Sequence, residues 1–158
     1  NEEYYDKIEA LQFTMNHDDG NSINDIEKSD IILLGVSRTS KTPTSIYLAN
    51  KGLRTSNIPL VNENSIPQLL KKKPKITCVI GLTTEAERLI EVRKNRMNTL
   101  KETESTDYTN IHKIKKEIED AKKTFRKYQW PTIDMTRKSV EETAASIIKI
   151  HEIFKNDN

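Results

Sequence analysis

The run Ile31-Ile32-Leu33-Leu34-Gly35-Val36-Ser37-Arg38-Thr39-Ser40-Lys41-Thr42-Pro43-Thr44 constrains the fold more than any other stretch. Its four leading apolar residues read as a buried strand. Gly35-x-x-x-x-Ser40-Lys41-Thr42 follows, then an apolar-periodic helix through Ile46, Tyr47, Leu48 and Ala49. Strand, loop and helix in that order are the context of a phosphate-binding loop of the form G-x-x-x-x-G-K-[ST], with Ser40 in place of the second glycine. In such a loop successive backbone N–H groups from Gly35 through Val36, Ser37, Arg38, Thr39 and Ser40 curl around a phosphate, and the helix N-terminus adds its positive dipole end. Lys41 then stands against the outer phosphate as a point charge, and Thr42 holds Mg²⁺ through its hydroxyl. Ser40 is tolerated if its φ is negative, or with a modest left-handed penalty. The plain alternative is a core strand followed by a polar turn and a helix cap.

The flanking residues narrow this reading. Residues 35–49 are accompanied upstream by His17-Asp18-Asp19-Gly20 and downstream by Asn57-Ile58-Pro59-Leu60-Val61 and Gly81-Leu82-Thr83 with Arg88-Leu89. A last block runs Ile133-Asp134-Met135-Thr136-Arg137-Lys138-Ser139-Val140-Glu141-Glu142-Thr143-Ala144. Together these five blocks, in this order, resemble the bacterial and plant regulatory proteins of pyruvate phosphate dikinase and of phosphoenolpyruvate synthase. In that family serine or glycine is accepted where Ser40 stands. The resemblance covers nearly the whole chain and implies a single P-loop kinase/pyrophosphorylase domain over residues 1–158. The family carries another domain before the H-D-D-G block and this chain does not begin with methionine, so it reads as the C-terminal part of a longer protein.

Composition sets outer bounds. With 158 residues there is enough chain for one domain with a real core. Charged residues make up 32% but the net charge is only +2, so global electrostatics favours no nucleic-acid partner. No apolar run approaches the roughly 18 residues a membrane helix requires, and the first residues have neither the basic nor the apolar part of a signal peptide. The single cysteine, Cys78, sits inside the apolar run 76–80 and suggests a reducing compartment, hence the cytoplasm.

Along the chain, residues 2–16 read as a helix with an apolar stripe of Tyr5, Ile8, Leu11, Phe13 and Met15. A polar break follows at 17–22, then a helical turn at 23–28. Helix 43–51 accepts Pro43 in its first turn and ends at Gly52. Residues 56–61 form a second strand whose Pro59 suits an edge. Residues 66–70 read as another helical turn before a basic loop at 71–74. Residues 75–82, with Ile76, Cys78, Val79 and Ile80, read as a buried parallel strand. Thr84 and Glu87 have capping-box spacing for a helix running toward Lys101. A long helix over 107–128 carries Ile111, Ile114, Ile118, Ala121 and Phe125 on one stripe. A short strand at 132–135 precedes a helix over 140–154 that buries Ala144, Ile147, Ile148 and Ile150, with Ser139 and Glu142 at capping-box spacing. The fold class is therefore α/β, a P-loop-type domain with a small, mainly parallel sheet of four or five strands flanked by helices.

Two adjacent aspartates before Gly20 are ordinary turn chemistry, and His17 suits the end of its helix. The functional reading puts one carboxylate against the P-loop, as a proton acceptor or a Mg²⁺ ligand; the resemblance favours Asp19 as the base, with Asp18 second. Arg88, Arg93 and Arg96 read either as surface partners of Glu85, Glu87 and Glu91 or as a phosphate clamp. Ligands gather at the carboxyl ends of parallel strands, which makes Arg137 a second candidate phosphate contact beside Arg88.

What the resemblance implies for activity is specific. Family members use ADP as donor to phosphorylate a threonine beside the catalytic histidine of the dikinase, inactivating it. In the other direction inorganic phosphate attacks the phosphothreonine, giving pyrophosphate and active target. One phosphate pocket serves both directions, with Mg²⁺ as the accompanying ion. Phosphoenolpyruvate synthase is the alternative protein substrate. Synthase-type members tend toward Cys-Gly where Thr39-Ser40 stands here, which leans the reading to the dikinase. Other classes are a P-loop module that phosphorylates small molecules or senses nucleotide, and a catalytically silent scaffold. The absence of an obvious Walker-B aspartate after Gly81 counts against an ordinary ATPase. A homodimer is compatible with all of these.

Overall fold

The computed structural model describes residues 2–20, 23–72, 75–99 and 110–157. Strands β1 (Ile31–Gly35), β2 (Thr55–Pro59), β3 (Cys78–Thr83) and β4 (Thr132–Asp134) form one sheet in the order β2-β1-β3-β4, and every pairing is parallel. Helices α1 (Glu2–Asn16), α2 (Lys41–Ala49), α3 (Ala86–Thr99), α4 (Ile111–Lys127) and α5 (Val140–Asn156) surround it. The expected α/β class is borne out, with four strands described and β2, which carries Pro59, at the edge. Asn21 and Ser22, the Lys73-Pro74 end of the basic loop, and the expected helical residues at 100–101 and 107–109 lie outside the described residues.

Successive side chains of a strand point to opposite faces, so the wholly buried β1 feeds two cores. Ile32 and Leu34 pack with Leu89 of α3 and with Ile114 and Phe125 of α4. Ile31 and Leu33 pack with Leu48 of α2 and with Ala144 and Ile147 of α5. The α4 stripe is buried as read, at Ile114, Ile118, Ala121 and Phe125, and α5 opens on the expected Ser139–Glu142 capping box.

Three local expectations are corrected. On α1 the buried positions are Ala10 and Thr14, while Tyr5 and Met15 are 67% and 65% exposed. The helix lies close against β2 along a seam of small residues, where the Thr14 hydroxyl accepts the Thr55 N–H at 3.1 Å. Strand β3 starts at Cys78, not at residue 75, and Ile76 is half exposed; Thr77 turns its hydroxyl to the Ser29 carbonyl instead of extending the ladder. At α3 the Thr84 hydroxyl meets Thr136 at 3.0 Å, and the Thr136 hydroxyl accepts the Glu85 N–H. The start of that helix is therefore held by the loop after the neighbouring strand β4 rather than by its own Thr84–Glu87 pair.

Two backbone positions generate tests. A Cβ on Gly81 would sit 2.4 Å from the Phe125 ring, so the ring can lie flat on β3 only over glycine. Gly81→Ala is expected to destabilise the fold by about 1–3 kcal/mol, and Gly81→Ala with Phe125→Leu to recover part of the loss in urea unfolding. Ser40 adopts φ 56 and ψ 33, the left-handed conformation that glycine holds without steric penalty. Ser40→Gly is expected to raise stability by about 0.5–1 kcal/mol, read as a higher urea midpoint at unchanged slope.

Candidate active site

β1 ends at the centre of the sheet and hands the chain to a tight loop before α2. A Cβ on Gly35 would meet the Thr39 hydroxyl at 2.5 Å and the Leu82 carbonyl at 3.1 Å, so the first loop residue has to be glycine for the loop to fold over β3. The Val36 carbonyl accepts from the Thr39 hydroxyl at 2.9 Å and from Lys41 Nζ at 3.0 Å. Arg38 and Ser40 both have positive φ. The loop is thus wound by its own side chains, and α2 starts immediately beneath it at Lys41.

The sequence-predicted residues Asp18, Asp19, Lys41 and Thr42 come together, with Arg38 and Pro59, around one cavity of about 410 Å³ at the carboxyl ends of β1 and β2. The Thr42 hydroxyl donates to Asp18 Oδ1 at 2.8 Å. Lys41 is buried, 7% exposed, and burial pushes its ammonium pKa down to about 8 against the opposing pull of Asp19. Arg38 and Arg93 push the same way as burial, and Asp18 adds to the pull of Asp19. A buried cation at a helix N-terminus, with few anions against it, is a site ready to receive negative charge.

Asn57, quoted in a sequence block but given no role there, proves central. Its Nδ2 donates to Asp18 Oδ1 at 2.6 Å and to Ser45 Oγ at 3.3 Å, while its Oδ1 accepts the Asp19 N–H at 3.0 Å. Asn57 is fully buried on β2 and so ties the aspartate turn to the sheet and to α2. His17 anchors the other end of that turn, with Nδ1 on the Phe13 carbonyl at 2.7 Å and Nε2 on Asp25 at 2.6 Å. Asp19 has φ 55, and its carboxylate is exposed with no hydrogen bond among the described residues. The sequence signals for Asn57 were its place at the head of the Asn57–Val61 block and its polarity within an expected strand.

Of the arginines, Arg88 makes the expected exposed pair with Glu91, at 3.3 Å. Arg93 departs from both readings. It is 1% exposed, forks onto Glu117 of α4 at 3.2 and 2.8 Å, and its Nε reaches the Ser37 carbonyl at 3.4 Å. It braces the loop from behind, whereas Arg96, one turn on, is exposed. Arg88 and Arg137 line a neighbouring cavity of about 530 Å³ that shares Arg38, Ser40 and Val92 with the first.

The Thr42 hydroxyl and the Asp18 carboxylate are hard oxygen donors side by side. Among the described residues no group of three or more His, Cys, Asp or Glu could hold a metal alone. That donor set fits Mg²⁺, which binds through one or two protein oxygens plus phosphates and waters.

No helix among the described residues is long and apolar enough to cross a membrane. The family described as Kinase/pyrophosphorylase matches residues 1–148. A relative from Pelagibacter ubique (strain HTCC1062), provisionally named a pyruvate, phosphate dikinase regulatory protein, is 74% identical over 157 residues, covering 99% of this chain and 57% of its own. A relative of the same provisional name from Wolbachia sp. subsp. Brugia malayi (strain TRS) is 51% identical, covering 94% of this chain and 54% of its own. One from Erythrobacter litoralis (strain HTCC2594) is 49% identical, covering 95% and 54%. The chain spans a little over half the length of these relatives. With a phosphate-type loop, a paired aspartate turn and a family match over nearly all its length, this chain belongs to the kinase/pyrophosphorylase family.

Proposed function

We propose that this chain carries the phosphoryl-transfer centre of a bifunctional regulator of pyruvate phosphate dikinase. The observation that supports it most is the convergence of Lys41, Thr42, Asp18 and Asp19 on one cavity at the mouth of the P-loop. The names of the relatives point to the dikinase as target, as does Thr39-Ser40 before Lys41.

In the kinase direction a threonine hydroxyl of the target attacks the β-phosphorus of ADP. The new O–P bond forms, the bridge between the α- and β-phosphates breaks, AMP leaves, and the hydroxyl proton passes to a carboxylate. Asp19 takes that role, because Asp18 is held by Thr42 and Asn57 while the Asp19 carboxylate is open to the cavity. In the other direction inorganic phosphate attacks the phosphothreonine phosphorus; pyrophosphate forms, and the threonine oxygen leaves and recovers a proton. Lys41 and the loop N–H groups offset the charge on the transferring oxygens. Thr42 and Asp18 are the residues that would hold Mg²⁺, which when bound neutralises phosphate charge.

The test uses the full-length protein, histidine-phosphorylated dikinase and ADP labelled at the β-phosphate. Label is expected on a dikinase threonine. Lys41→Ala and Asp19→Asn are each expected to lower both activities by about 10²–10⁴-fold, and a variant that kept both would overturn its assignment. Transfer to phosphoenolpyruvate synthase alone would keep the chemistry and change the target.

A pH dependence follows from Lys41. Its charged form predominates below about 8 in the free protein and is lost above that value. Pyrophosphate is already largely ionised there, so its affinity is expected to fall as pH rises past about 8, by up to about tenfold per pH unit. Calorimetric titration of Lys41→Met against the unaltered protein checks this; the variant is expected to bind weakly at every pH and to lack the slope.

A further inference from the structure

We infer that the exposed apolar stripe of α1 is the seat of the part of the full-length protein that lies outside these 158 residues, and that this tethered part steadies the aspartate turn through that helix.

Tyr4, Ile8, Leu11 and Met15 follow one another at spacings of four, three and four residues. In a helix of about 3.6 residues per turn they share one face about 60° wide. Tyr4 and Met15 are 61% and 65% exposed, and Ile8 and Leu11 are half-buried. Neighbouring Tyr5 sets its ring edge-on to Tyr4 at 5.8 Å and widens the patch. The face that meets the sheet is a different one, carrying Ala10 and Thr14. Among the described residues none of the four stripe residues belongs to either core. A helix of 15 residues is marginal in water by itself and draws its stability from packing an apolar face. Helix α1 has such a face and turns it away from the sheet. Alternating spacings of four and three make a helix–helix seam, so the occupant presents an apolar helix of its own.

The family supplies the length for that occupant. The chain spans 57% and 54% of two of its relatives, which leaves more than two fifths of such a protein outside the match. That is roughly 100 residues, enough for a small domain. Contact area favours a tethered occupant over a second copy. From Tyr4 to Met15 the stripe runs about 16 Å along a helix about 10 Å wide, on the order of 200 Å² per side. Stable association of free molecules takes roughly 800 Å² per partner. Within one chain the effective concentration is about millimolar, and a contact of this size holds. The helix leads directly into the aspartate turn. The His17 N–H closes its last turn on the Phe13 and Thr14 carbonyls at 3.1 and 3.2 Å, and the His17 carbonyl accepts the Asn57 N–H at 3.4 Å. A domain seated on the stripe therefore fixes the helix that carries Asp18 and Asp19 to the P-loop.

The test treats the full-length protein with dilute hydrogen peroxide and follows Met15 sulfoxide by mass spectrometry, against the same chain unfolded in urea. Met15 is expected to oxidise at least tenfold more slowly in the folded protein, at concentrations a hundredfold apart and with no other protein added. Oxidation within twofold of the unfolded rate would overturn the seat. Protection lost on dilution would assign the stripe to a second copy, and protection found only with added dikinase would assign it to the target; either result overturns the tethered occupant. Tyr4→Asp, at an exposed position where folding is not at stake, and Leu11→Asp are each expected to raise the Met15 rate at least fivefold. The amides of β1 and β3 are expected to stay protected from hydrogen exchange in both, which shows that the fold persists. Met15 still protected in both variants would overturn the stripe as the contact.

Discussion

The shared hydrogen-bonding of Asp18 Oδ1 holds the site in one piece. Two donors meet on that oxygen, the Thr42 hydroxyl from the first turn of α2 and the Asn57 amide from β2. Each donor is a neutral group bonding a carboxylate, an interaction of about 1.5–3 kcal/mol, and each comes from a different piece of secondary structure. The carboxylate thereby joins three segments far apart in sequence. Because Asn57 also accepts the Asp19 N–H, the orientation of both aspartates follows from one buried amide. On the other flank Arg93 supports the loop through the Ser37 carbonyl and is itself held by Glu117. The loop is consequently braced on both sides by the protein's own groups, the form of preorganisation on which electrostatic stabilisation depends.

Much of the fold was legible because its signals are local. The apolar run of β1, the α4 stripe and the Ser139–Glu142 cap each follow from periodicity or spacing within a few residues. What misled was local pattern overridden by neighbours. Tyr5 and Met15 look like the inner face of α1 by residue type, yet a seam of Ala10 and Thr14 lets that helix approach β2 closely. Thr84 and Glu87 have capping spacing, yet Thr136, more than fifty residues away, supplies the cap.

The site divides in the same way. The convergence of Lys41, Thr42 and the Asp18–Asp19 pair was legible because a loop motif and a compact turn each set their residues within short stretches. Asn57 and Arg93 were not, since each has its role only through partners brought by the sheet or by the packing of α3 on α4. An arginine among glutamates on a charged helix reads as surface, and nothing in its own segment foretells that Glu117 will draw it inside. Residues that position others are written in tertiary structure, whereas the loop and the aspartate turn are written in short motifs.

Asn57 lies on β2, and β2 is the edge of the sheet. The strand is nonetheless buried along Thr55–Ile58, and Ile58 belongs to the core that Ile32 and Leu34 share with α3 and α4. Pulling β2 away from β1 would therefore unseat the aspartate turn and open that core in one event, so the order of the site and the stability of the fold are a single quantity here.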